Sequence, residues 1–414
     1  MKSKPLRILF INRMAAMVRG GGETFDLEMA RHLAALGCEV TLLTGIPLMG
    51  RARLGPADWW PGCGIASSHE IENWPLKIGN AHIRTPYLGW FPWDKTPGGW
   101  RIRVADFKLF ERSAARWAYH RRVRFDVIQI CELPFFLDYY KGRESRVPVC
   151  MRLTAPDFYD PRGALQRANA VIASGTTMKK VRAGLRPDCH NIPNGVDIAL
   201  FRPHATDFRA QRGWPADDVV IVSVARFQTV KNHPMLIDAF RRVLASEPKA
   251  RLVLAGSGPL EGDIRARCAM ANVADRVTFL GELPFECVAD LYAASDIAVV
   301  SSDYESFSFV ALEAMATGLP MVVTATEWVP GLIGRTDKQA EDQNPLTGIT
   351  EAPGGIVAPI GDGAAFADAL LRLVRDPDRR RRMGGWNRNR VERDFGWSAS
   401  AEKLLALYRR LSAS

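Results

Sequence analysis

Two cations and two carboxylates in the second half of the chain stand at spacings that suit phosphate and sugar chemistry. Arg226 and Lys231 are five residues apart in VARFQTVKNHP, directly after an apolar β-branched run at 219–224. A guanidinium and an ammonium at the C-terminal end of a strand can hold a diphosphate, the first through its fork of donors and the second as a point charge. Two solvated surface charges would read the same on this segment alone. Glu305, Ser306, Phe307, Ser308 and Phe309 open an apolar helical run in which Glu313 follows Glu305 by eight residues. The first N–H groups of a helix have no partner within it, and the helix end favours an anion. Glu313 lies among Leu312, Ala314 and Met315. A carboxylate there is costly to bury unless it accepts hydrogen bonds, as two ribose hydroxyls would supply. The plain alternative is a helix-face glutamate in water.

Three weaker signals accompany these. Gly20-Gly21-Gly22-Glu23 lies between an apolar run and a helical pattern, with no G-K-[ST] after it, so it is not a P-loop; a ligand-hugging turn and a bare tight turn fit equally. Gly256-Ser257-Gly258-Pro259 lacks the third glycine of G-x-G-x-x-G, because Glu261 stands there, which makes a nicotinamide cofactor a poor reading and a simple turn an adequate one. Asp376-Pro377-Asp378 is formally D-x-D, but the arginine run at 379–382 follows it and a helix start explains it. No metal is expected.

The elements that must carry these residues alternate. In the first half, apolar runs at 7–12, 40–44, 126–130, 147–153 and 171–174 read as strands, with helices at 24–36 and 176–183. In the second half, strands at 219–224, 251–255, 277–280, 297–301 and 321–325 are separated by helices at 235–244, 260–271, 287–294 and 309–317. Strand–helix alternation with short links predicts an α/β protein of two Rossmann-like, doubly wound parallel-sheet domains, with ligands beyond the C-terminal strand ends in an interdomain cleft. The chain of 414 residues exceeds what one core supports. The domains are expected at 1–190 and 191–385, with 386–414 a closing C-terminal segment. Residues 46–125 break the pattern as an irregular, basic, Trp-rich stretch holding seven of the 11 Trp. Within it, 100–125 carries eight Lys/Arg and two acids, with Phe107, Phe110, Ala114 and Trp117 at helical spacing. That is a basic amphipathic helix, suited to packing on its own sheet or to an anionic bilayer.

Charge and cysteine usage narrow the function classes. The net charge of +10 is uneven: residues 1–190 hold 29 basic and 17 acidic side chains, residues 191–414 hold 26 and 28. A uniformly basic nucleic-acid binder would not divide so, and no nucleic-acid motif is present. Seven scattered cysteines without C-x-x-C oppose a disulfide framework or structural zinc and favour a reducing cytosol. The N-terminal apolar run, 8–11, is too short for a signal peptide, and nothing approaches a membrane span.

The order of the pieces resembles the retaining glycosyltransferases of family four, with the GT-B fold. GGGETFDLEMARHLAALGCEVTLLT is similar to the family's opening glycine loop and helix, and NIPNGVDIALFRP to its interdomain segment. VARFQTVKNHPMLIDAF, LAGSGP, ESFSFVALEAMATGLPMVVT, GGIVAPIGD and WSASAEKLLALY follow in family order, the last resembling the helix that crosses back to the first domain. The resemblance implies transfer of a sugar from a nucleotide-diphosphate sugar to an acceptor hydroxyl in cell-surface glycan or glycolipid synthesis, without a metal or other cofactor. It implies that Arg226 and Lys231 neutralise the departing diphosphate and that Glu313 holds the ribose. Glu305 contacts the sugar, helped by Ser306, Phe307, Ser308, Phe309 and Val310. Gly20, Gly21, Gly256 and Gly258 let the donor approach the backbone. A glycan or lipid-linked acceptor, peripheral contact with an anionic membrane and a place in the cytoplasm at the inner membrane face complete the expectation.

Several positions depart from the family pattern. Thr154 and Cys131 stand where histidines are usual, Ser306 and Ser308 where two glycines follow the first glutamate, and Gly331 where a later glutamate is common. The serines narrow the space near the sugar. A non-catalytic nucleotide-sugar binder and a sugar-nucleotide epimerase on the same scaffold are the alternatives. The survival of Arg226, Lys231, Glu305 and Glu313 opposes the first, and the lack of histidine at the strand ends opposes the second.

Overall fold

A computed structural model describes residues 4–15, 21–47, 78–85, 97–140, 147–154, 157–335 and 348–413. The chain divides into two compact units, Met1–Asn194 with Trp397–Ser414, and Gly195–Gly396.

The first unit is built on β1 (Arg7–Ile11), β2 (Glu39–Pro47), β3 (Ile78–Thr85), β4 (Val127–Cys131), β5 (Val149–Arg152), β6 (Ala170–Ala173) and β7 (His190–Asn191), in sheet order β3-β2-β1-β4-β5-β6-β7 and parallel throughout. Alternate residues serve opposite faces, as the pleat requires. Leu9, Ile11, Ile128 and Ile130 pack on one face with Phe110, Ala114 and Ala118 of α2 (Gly99–His120). On the other face lie α1 (Gly21–Ala35) and the C-terminal helix Trp397–Ala413, with Phe10 edge-on to Tyr408 and Phe25 edge-on to Trp397. α3 (Gly175–Gly184) follows β6.

Part of the stretch 46–125 is less irregular than expected: Ile78–Thr85 is a full strand added in register to β2, while Gly99–His120 is the helix that the spacing at 100–125 predicts. The strand escapes a sequence reading because its run, IGNAHIRT, is polar and glycine-containing and so carries weak patterning for a strand at the sheet edge. The Trp-rich residues 48–77 and 86–96 lie outside the described residues.

In the second unit, β8 (Val219–Val224), β9 (Ala250–Ala255), β10 (Val277–Gly281), β11 (Ile297–Val300), β12 (Met321–Thr324), β13 (Thr350–Ala352) and β14 (Gly355–Ala358) form a sheet of order β10-β9-β8-β11-β12-β14-β13, with only β13 antiparallel. Val220 and Val222 enter one core while Ile221 enters the other, and β9 divides in the same way, with Val253 against Leu252 and Leu254. Both faces are therefore covered, by α4 (His233–Ser246), α5 (Glu261–Met270), α6 (Phe285–Ala293), α7 (Phe309–Ala316), α8 (Gly363–Val374) and α9 (Pro377–Asp394). Asn232 caps α4 by accepting from Met235 N–H, and Asp362 caps α8.

The boundaries expected after 190 and 385 are displaced to 194 and 396. α9 packs on α7 within the second unit, burying Met383, Asn387 and Val391, and the Asn387 amide donates to Leu319 and Gly354 carbonyls at 2.7 Å each. Only the last helix, α10 (Trp397–Ala413), belongs to the first unit. There Ser400 Oγ donates to Pro193 C=O at 2.9 Å, and the Tyr408 hydroxyl donates to Gln129 Oε1 of β4.

Candidate active site

Both sheets have a switch point where strand order reverses, between β1 and β4 and between β8 and β11. Ligands of such sheets bind beyond the C-terminal strand ends at that point. Arg226 and Lys231 follow β8, and Glu305 and α7 follow β11, so these residues flank the switch point of the second unit.

The structure brings Lys231 and Glu305 into direct contact. Lys231 Nζ donates to Glu305 Oε1 at 2.7 Å, and the Ser302 hydroxyl donates to the same oxygen at 2.7 Å. The loops themselves are tied together. Asp303 N–H donates to Val230 C=O at 2.8 Å, Ser301 Oγ to Lys231 C=O at 2.8 Å, and the Asn232 amide to Asp303 Oδ1 at 2.8 Å. Glu305 is buried and Lys231 partly exposed. A buried carboxylate is tolerable here because an ammonium and a hydroxyl meet it.

Gly256 and Gly258 have a structural reason to be glycine. The turn after β9 presses on the loop that carries Arg226: Phe227 N–H donates to Ser257 C=O at 2.8 Å, and Gly256 N–H to Gly281 C=O at 2.7 Å. A Cβ on Gly256 would lie 2.1 Å from Ala225 O, and one on Gly258 2.5 Å from Phe227 O. These glycines position Arg226 by letting two backbones meet. His233, buried at the start of α4 with its ring edge-on to Phe227, is held neutral: burial and the Lys231 charge lower its pKa to about 4.

Ser308 precedes α7 with φ 74° and ψ 86°, the left-handed region that glycine favours. Phe307 beside it is buried and stacks on Trp328, while Ser306, Phe309 and Val310 are partly exposed. Glu313 lies in the second turn of α7. Its burial raises the carboxyl to about 7, and its charge in turn adds to the burial that pushes the Tyr292 hydroxyl up.

In the first unit Gly20 lies outside the described residues, and Gly21 is the first residue of α1. The usual histidine positions hold a different arrangement. Thr154 donates through both its N–H and its hydroxyl to Glu132 Oε1, each at 2.6 Å, and Glu132 has φ 48°. Glu132 directly follows β4 at the first unit's switch point and was not singled out by sequence reasoning. The signal available was its place directly after an apolar strand. Cys131 is partly buried, and its thiol is raised well above the ordinary value by desolvation and the nearby Asp26. Gly331 sits in the short helical turn Val329–Leu332. Asp376 caps α9 by accepting from Arg379 N–H, and Asp378 pairs with Arg381, so the D-x-D string is a helix start. Among the described residues no three His, Cys, Asp or Glu side chains are grouped to hold a metal.

The profile of the family described as "Glycosyl transferases group 1" matches residues 205–390. A D-inositol 3-phosphate glycosyltransferase of Frankia alni is 32% identical over 94% of this chain and 94% of its own length. The chain belongs to the group 1 glycosyl transferases. A second protein of that description, from Kineococcus radiotolerans, is 34% identical over 53% of this chain, which spans about half of that relative's length (51%). The fold of this group 1 chain is that of solved GT-B proteins. Sucrose-phosphate synthase from Thermosynechococcus elongatus superposes with TM-score 0.72 at 24% identity, covering 99% of both chains. Anabaena HepE, solved with UDP and glucose, superposes with TM-score 0.69 at 18% identity, covering 98% of this chain and 100% of its own.

Proposed function

We propose that this chain is a retaining, metal-independent glycosyltransferase that moves a sugar from a nucleoside diphosphate sugar to an acceptor hydroxyl. The observation that carries the reading is the Lys231–Glu305 pair at the switch point of the second sheet, beside the start of α7. The second unit binds the donor. Arg226, Lys231 and the first N–H groups of α7 meet the diphosphate, Glu313 accepts from the ribose hydroxyls, and Glu305 accepts from the sugar hydroxyls. Lys231 is already engaged by Glu305, so an arriving diphosphate shares a cation that is preorganised rather than solvated. In the transfer step the bond from the anomeric carbon to the diphosphate breaks, and the bond to the acceptor oxygen forms on the same face. The acceptor proton passes to the departing diphosphate.

The first unit binds the acceptor. The acceptor is a glycan or lipid-linked intermediate of cell-surface glycan synthesis, a class to which a relative described as a phosphatidylinositol monomannoside mannosyltransferase, from Corynebacterium glutamicum, lends support. Along α2, Ile102, Leu109 and Trp100 are exposed beside Arg101, Arg112 and Arg116, with Val123 and Arg124 just beyond. Apolar and cationic groups on one outer face suit an anionic bilayer. The described cysteines are all free thiols, which supports a cytoplasmic place at the inner membrane face. No described helix is long and apolar enough to cross a membrane.

A thermal-shift panel of UDP-, GDP-, ADP- and dTDP-sugars, followed by product analysis with retention or inversion read by NMR, tests this function. One nucleotide class should raise the melting temperature and yield a product of retained configuration. No shift with any of the four contradicts the reading.

A further inference from the structure

Ser308 combines three features that a merely structural residue would shed. Its backbone sits at φ 74°, where glycine is free of strain and an L side chain is not. Its side chain is 8% exposed, and its hydroxyl has no hydrogen-bond partner within the protein. It stands at the head of α7, eight residues long, without capping it. Ser and Thr at such a place ordinarily accept from an N–H of the first turn. Glycine at this position would relieve the backbone and remove the orphan hydroxyl at once, so the serine is held against the stability of the ligand-free fold.

The neighbourhood says what would satisfy it. The head of a helix favours negative charge, and Lys231 reaches the same strand-end region through Glu305. Two further buried polar groups without a protein partner lie after β12: the Thr326 hydroxyl and Nε1 of Trp328, whose ring stacks on Phe307 next to Ser308. All can donate a hydrogen bond, and buried groups of this kind are rarely left unmet. A phosphate oxygen at the head of α7 would be an acceptor for the Ser308 hydroxyl and is favoured there by the helix end.

We propose that the Ser308 hydroxyl donates a hydrogen bond to a diphosphate oxygen of the donor nucleotide, and that the serine is retained for that bond at the expense of the ligand-free protein. The inference rests on the donor-site reading above and deepens it, since a side chain then adds to the backbone groups at the start of α7.

The full chain is compared as wild type, Ser308→Gly and Ser308→Ala. Melting temperature is read without ligand, and affinity is measured by calorimetry for UDP, GDP, ADP and dTDP and the corresponding monophosphates. Ser308→Gly should melt about 2–6 °C higher than wild type yet bind the preferred diphosphate about ten-fold or more weakly. Monophosphate affinity should be unchanged. Ser308→Ala should lose the same affinity with a smaller rise in melting temperature, because its Cβ keeps the strain. A glycine variant that melts at or below wild type, or that binds the diphosphate as tightly, overturns the proposal. If wild type binds none of the four diphosphates, the donor-site reading falls and takes the proposal with it, an outcome distinct from equal binding by wild type and variant.

Discussion

Titration of Glu313 couples the stability of the second unit to its ligand. Burial lifts this carboxyl from 4.5 to about 7. An acid whose folded pKa lies above its unfolded value adds no penalty below about pH 4.5, where both states are protonated. The penalty grows as pH rises and is complete above about pH 7, where the buried carboxylate must ionise. A shift of this size corresponds to roughly 3 kcal/mol. Glu313→Gln keeps the shape and removes the titration. Relative to that variant, wild type should lose roughly 3 kcal/mol of unfolding free energy between pH 4.5 and 8, or about 6–12 °C in melting temperature. Urea unfolding followed by tryptophan fluorescence at several pH values supplies the difference, in which groups common to both proteins cancel. Nucleotide should act in the opposite sense. Ribose hydroxyls donate to the ionised carboxylate and favour it, so binding near pH 6.5 should release a proton, seen as a binding enthalpy that changes with the buffer's ionisation enthalpy. A difference curve flat with pH would refute the burial argument. Binding without proton release would refute the ribose role while leaving burial intact.

Lys231→Ala should lower transfer by about 10²–10³-fold with the protein still folded, measured as initial rates at low temperature, since it removes a preorganised cation from the diphosphate; wild-type turnover would contradict that role. Gly256→Ala should destabilise the second unit by at least about 2 kcal/mol in denaturant titration, because its Cβ would meet Ala225 O at 2.1 Å in a left-handed backbone. Charge reversal at Arg101, Arg112 and Arg116 should reduce sedimentation with phosphatidylglycerol vesicles; unchanged sedimentation removes α2 as the membrane face. Arg121 is a poor choice for that test, because its guanidinium lies 4.5 Å over the Trp117 ring and reversal there would disturb packing.

Much of the fold was legible because buried parallel strands must be apolar and must alternate with helices. Val219–Val224, for example, lies where its β-branched run put it. The edge strand Ile78–Thr85 was not, because its polar, glycine-containing run carries little pattern. The same division holds among the polar residues. Arg226, Lys231, Glu305 and Glu313, the residues proposed to meet the donor, were nameable from type and spacing. Glu132 of the first unit offered only its place after an apolar strand, since neither its positive φ nor its two bonds from Thr154 leave a trace in one sequence.

From its sequence alone the protein is a tandem α/β chain with a set of charged residues at strand ends, because hydrophobic period and local turn chemistry are properties of neighbouring residues. Tertiary structure decided what those residues meet. Lys231 and Glu305 are 74 positions apart and become a 2.7 Å pair only because β8 and β11 are neighbours in the sheet. Gly256 must be glycine only because a second backbone arrives against it. Ser308 is costly only because its hydroxyl is enclosed without a partner. Contacts between distant segments and the dielectric around a charge arise when the chain closes on itself, and there the ordinary carboxyl of Glu313 becomes one that titrates near neutrality.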